Sequence, residues 1–153
     1  MSTFSLQDIL VIIACGLAAT AVMTLFLYAV KWIHVIDSNL LTTVGALFTR
    51  SHRDYTRLGL AIHFVAGIIF SLIYVGFWRL IGINQPIEYV ALGTAFGLFH
   101  GLIASYVLVI FAVESHPERK VRRAGIGGAA IDWMAHVIYG GVLGFLYAVY
   151  LFA

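Results

Sequence analysis

Charge is what this chain is short of. Asp, Glu, Lys and Arg make up 10% of its 153 residues, against about 25% in a soluble globular domain. A solvated surface cannot be built from so few charges, so a soluble domain is excluded. Cysteine is scarcer still. Cys15 stands alone within an apolar stretch, which excludes a disulfide framework and a multi-cysteine metal motif and leaves it a small core residue. A basic nucleic-acid face is missing too, because the net charge of +2 comes from Lys and Arg gathered in two loops, so no nucleic-acid partner is expected. The opening residues MSTFSLQDIL carry no basic n-region, and the first hydrophobic segment is expected to be a retained helix rather than a cleaved signal. No strand is expected, hence no phosphate loop following one, and no nucleophilic serine motif is found.

What is present is hydrophobic: 62% of the residues. A bilayer core of about 30 Å takes about 20 apolar residues in helical form. Four stretches meet that demand, at 9–33, 58–78, 87–113 and 127–152. The expected class is all-α, an integral membrane four-helix bundle filling one transmembrane domain over 1–153, with the lipid bilayer as its solvent. The segment DSNLLTTVGALF places Leu40, Leu41, Val44, Leu47 and Phe48 at helical spacing behind capping residues, as a short interfacial helix over 38–49 would.

Spans two and four repeat a pattern. HFVAGIIFSLIY (His63 to Tyr74) and HVIYGGVLGFLY (His136 to Tyr147) share a His, a Gly four residues on and a Tyr eleven residues on. Two parallel helical-hairpin repeats related by a two-fold axis along the membrane normal would follow. In the partner spans, GLAATAVMT then lies over GTAFGLFHG and aligns Met23 with His100. Gly93, Gly97 and Gly101, at four-residue intervals, form a ridge that admits a close neighbour. The arrangement resembles a group of small, uncharacterised four-helix bacterial integral membrane proteins with a repeated His-x-x-x-Gly span. That resemblance implies the fold and no chemistry; a bacterial inner-membrane location is the separate expectation.

The chemistry rests on a belt of polar groups at nearly one depth. His63, His100, His136 and Thr24 fall about 20–24 Å from the outer ends of their spans, and Asp132 stands one turn from His136 on the same face. Intramembrane ionisable groups face the bundle interior, because lipid exposure is costly. Three readings compete. The belt binds a metal ion, with His63, His136, His100 and Asp132 as ligands or their supports. Alternatively, His63 and His136 hold a b-type haem axially, Gly67 and Gly140 leaving room for the macrocycle and Arg57, Arg122 or Arg123 pairing with propionates. Either would serve redox or metal handling, within a larger membrane complex or a homo-oligomer. A proton or substrate path through the same residues is the second reading. The third is interhelical polar glue in a cofactor-free assembly subunit. Glu114, His116 and Glu118, and His34 with His52, read as surface-loop residues, and Trp32, Trp78, Tyr89 and Tyr150 as interfacial aromatics.

Eight of the nine Lys and Arg residues lie in or beside the loops 34–57 and 114–123, which places those loops in the cytoplasm and both termini outside. A Gln85→Cys variant in sealed vesicles should therefore label only from the external side. Labelling from the cytoplasmic side would overturn the orientation.

Overall fold

The structure, a computed structural model, describes residues 4–35, 40–49, 51, 53–108, 122 and 125–153. The regular secondary structure among these is all helical: α1 (Leu6–Trp32), α2 (Leu40–Phe48), α3 (Tyr55–Ile81), α4 (Pro86–Leu108) and α5 (Gly125–Phe152). The four long helices are apolar and long enough to cross a membrane; a 27-residue helix measures about 40 Å. Each begins somewhat earlier than hydropathy alone implies, and at α1 and α4 polar capping groups, not apolarity, set the start. Ser5 and Asp8 form a reciprocal capping box, the Ser5 hydroxyl accepting from the Asp8 N–H at 3.1 Å and the Asp8 carboxylate from the Ser5 N–H at 3.0 Å. Pro86 opens α4, where its missing N–H is no loss. Ahead of it the Glu88 carboxylate accepts from the N–H groups of Asn84 and Gln85, both at 2.9 Å. Gly82 closes α3 in the left-handed region at φ 71°, its N–H bonded to the Trp78 carbonyl. The predicted end of the third span beyond Leu108 lies outside the described residues.

The helices form a ring in the order α1, α3, α4, α5, with α5 returning to α1. Two hairpins close through small residues. In the first, Gly16 of α1 lies against Ser71 and the Gly67 carbonyl of α3. In the second, Gly93 of α4 lies against the Gly140 carbonyl and Gly144 of α5, and Gly140 in turn against Gly93. A Cβ on either of the last two would overlap the opposing backbone, so only glycine allows the contact. The ridge predicted on the third span thus meets α5. By contrast, α3 and α4 approach mainly through rings, Tyr74 and Phe77 each standing edge-on to Phe96 with centroids 5.2 Å apart.

The short helix falls within the predicted 38–49. It is pressed onto the first turn of α3, with Gly45 against the Tyr55 carbonyl, Gly59 against the Leu41 carbonyl, and the Thr42 and Thr56 hydroxyls 3.0 Å apart. At the opposite end of the bundle, which carries both termini, Arg79 pairs with Asp8 at 3.2 Å and its guanidinium lies 4.2 Å from the Phe4 ring centroid. Trp78, Tyr89 and Tyr147 pack beneath that pair as a buried aromatic layer. Here the interfacial reading needs correction. Trp32 is 82% exposed, but Trp78 at 0% and Tyr89 at 6% are buried and belong to the core. Position along a span sets depth, and only packing decides whether a residue faces lipid.

The glycine contact generates an expectation about stability. Gly93→Ala should destabilise the protein by about 1–3 kcal/mol through overpacking. Gly76→Ala, where a Cβ meets nothing within 4 Å, should be neutral or stabilising by up to about 1 kcal/mol. Denaturant titration in detergent micelles checks both.

Candidate intramembrane site

His63, His100, His136 and Asp132, the four residues singled out along the sequence, line one cavity of about 200 Å³. It lies toward the loop end of the bundle, bounded by all four long helices and covered by Val44 of α2. The approach of α4 to α5 brings two of the imidazoles together. Gly97 lies against the His136 carbonyl, and a Cβ at Gly101 would stand 2.6 Å from that of His136. Pressed onto the α4 backbone, the His136 ring meets His100 edge to face with centroids 4.8 Å apart. The Trp133 indole N–H, donating to the Leu98 carbonyl at 2.8 Å, straps the same pair of helices.

Each of these rings is held by one nitrogen. His136 Nδ1 lies 2.8 Å from the Asp132 carbonyl oxygen and 3.7 Å from its carboxylate. A carbonyl only accepts, so Nδ1 carries a proton. The Asp132 carboxylate accepts from the Ser105 hydroxyl at 3.0 Å. His100 Nδ1 lies 3.2 Å from the Tyr74 hydroxyl, and its ring stacks on Phe70 with centroids 3.5 Å apart. His63 is different. Its Nε2 is buried and has no hydrogen-bond partner among the described residues. A neighbouring donor, the Tyr139 hydroxyl, is spent on the Gly67 carbonyl at 2.6 Å.

Several supporting residues were not read from the sequence. Tyr74 engages the His100 ring nitrogen, Ser105 the Asp132 carboxylate and Tyr139 the Gly67 carbonyl. Tyr139 follows His136 by three positions on one helix face, a signal that was available. Ser105 offered none, because its pairing with Asp132 crosses between helices. Thr24 does not join the site: its hydroxyl donates to the Thr20 carbonyl of its own helix at 2.7 Å. Helix α1 contributes Thr20 and Met23 to the cavity instead.

The haem expectation fails on fit. Gly67 makes room for the Thr20 side chain and Gly140 for the Gly93 backbone, neither for a macrocycle. A cavity near 150 Å³ takes about one benzene, and the 200 Å³ here is on that scale rather than a porphyrin's. Arg57 and Arg122 are exposed; Arg123, His52, Glu114, His116 and Glu118 lie outside the described residues, and His34 is an exposed loop residue at φ 57°. As they stand, no three His, Cys, Asp or Glu groups among the described residues are close enough together to hold a metal ion.

The model of a family described as DUF6789, a family of unknown function, matches residues 6–151. The chain belongs to that family. No curated protein matches it, and no solved structure does.

An unpartnered ring nitrogen in an apolar cavity carries a desolvation cost of about 1–3 kcal/mol. Replacing His63 with Phe in metal-stripped protein should therefore leave it as stable as the wild type or up to that much more stable, measured by denaturant titration. A histidine serving as interhelical glue would give the opposite sign.

Proposed function

We propose that this chain is a small intramembrane metal-binding protein, holding one transition-metal ion in the bundle cavity through the imidazoles of His63, His100 and His136. One observation carries this reading: three imidazoles reach a single cavity, two with Nδ1 engaged by a neighbour and the third with a buried, unsatisfied Nε2. Metal-ligating histidines are commonly oriented in this way by a carboxylate, carbonyl or hydroxyl on the far nitrogen. Asp132 then orients His136 and supplies a negative charge beside the ion. Small rotations of the side chains would have to close the shell.

The path reading is less well supported. Beyond Tyr74 the bundle is filled by Val75, Trp78 and Tyr147, all nearly or wholly buried, so the cavity has a closed floor toward the termini. We place the basic loops in the cytoplasm, which puts the cavity's loop end on that side. His63 then lies about 12 Å along α3 from Tyr55, within reach of ions arriving from the cytoplasm. The matched contacts of Gly16 with Gly67 and Ser71, and of Gly93 with Gly140 and Gly144, support two parallel hairpin repeats. Metal handling in a bacterial inner membrane, alone, as a homo-oligomer or beside other subunits, is the proposed role.

Purified wild-type protein should carry stoichiometric transition metal after loading and desalting. The double variant His63→Ala, His136→Ala should lose it while keeping its helical circular dichroism. Elemental analysis decides the matter: no metal in the wild type, with a double variant that is merely less stable, would assign the histidines to interhelical glue.

A further inference from the structure

Resting on that reading, we infer that the ion is copper(I) and that Met23 is one of its ligands. Met23, 2% exposed on α1, lines the same cavity as the three imidazoles. It is a buried thioether facing a site that the sequence presented as a histidine and carboxylate site. In the hairpin alignment it stands where His100 stands in the second hairpin. One hairpin therefore brings a soft sulfur donor to the position where the other brings an imidazole.

Three physical arguments converge on copper(I). The first is donor softness: thioether with imidazole selects copper(I), whereas magnesium, calcium and manganese take oxygen donors. The second is coordination. Zinc in a structural site takes four ligands in a tetrahedron, so the three imidazoles and the Asp132 carboxylate would all have to shift to surround it, since no three of them stand together among the described residues. Copper(I) accepts low coordination numbers, and the adjacent rings of His100 and His136, with Met23 on the wall of the same cavity, offer a donor set of that size. The third is charge. Among the described residues, Asp132 is the one carboxylate on the cavity wall. With Asp132 ionised, a monovalent ion beside neutral imidazoles and a thioether leaves no net charge there, whereas a divalent ion leaves one unit uncompensated in a low-dielectric interior, where unpaired charge is expensive.

Metal-stripped protein in detergent, kept anaerobic, is titrated with copper(I) against bicinchoninate as competitor, and separately with zinc against a zinc-sensitive fluorophore. Met23→Leu is the test variant, a near-isosteric change that cores tolerate, and its fold is checked by circular dichroism and gel filtration. The expected result is stoichiometric copper(I), bound more tightly than zinc, with a sulfur scatterer in the copper X-ray absorption spectrum. Met23→Leu should lose that scatterer and weaken copper(I) binding by roughly tenfold or more, with zinc binding unchanged. Zinc held as tightly as copper(I), or copper(I) binding untouched in Met23→Leu with no sulfur in the spectrum, would overturn the copper and Met23 assignment and leave the metal-binding reading standing. Neither metal binding to the wild type would overturn both.

Discussion

The contact between the backbones of α4 and α5 governs the polar geometry of this bundle. Gly93 and Gly140 lie backbone to backbone, and Gly97 and Gly101 press against His136 one and two turns further along. In lipid there is no hydrophobic force between helices, so association depends on close packing and on interhelical hydrogen bonds. Glycine supplies the first directly. The second follows, because only at this separation do His100 and His136 touch and Ser105 reach Asp132.

The cavity is the complement of that contact. Where α4 and α5 close on glycine, α3 and α4 are kept apart by Phe70, Tyr74, Phe77 and Phe96. Aromatic side chains across one interface and bare backbone across the other give a ring of four helices that cannot be tight on every side. The remaining space falls beside the imidazoles, and α2, locked to the first turn of α3, covers it with Val44. The aromatic layer of Trp78, Tyr89 and Tyr147 fills the far end of the bundle and confines the space to one half.

Among the described residues, most buried polar groups of the framework are satisfied, with the Trp78 indole nitrogen and the Tyr147 hydroxyl as exceptions in the aromatic layer. The hydroxyls of Thr20, Thr24 and Thr94 donate to carbonyls one turn back on their own helices, and Ser105 donates to Asp132. Those groups are settled without any ligand. His63 Nε2 is not. A bundle selected for stability alone would fill that position with an apolar side chain, since an unmatched buried nitrogen opposes folding. Its place in one cavity with two oriented imidazoles and a thioether supports the proposed binding site.

The four spans, the short helix and the shared depth of the histidines were legible in the sequence, because hydropathy, helical rise and periodicity are local properties that survive without knowledge of neighbours. Depth along a helix is counted from residue numbers alone, so His63, His100 and His136 could be placed at one level before any packing was known. Rotation about each helix axis and the pairing of helices are not local. They assigned Trp78 to the core rather than the interface, Thr24 to its own backbone, Ser105 to Asp132 and Met23 to the cavity. They also closed Gly67 and Gly140 against neighbouring helices, where room for a macrocycle had been expected. A stretch that is apolar all round carries no stripe to say which face is inward. In such helices the steric fit of small residues against backbone decides the facing, and that fit exists only in the assembled tertiary structure.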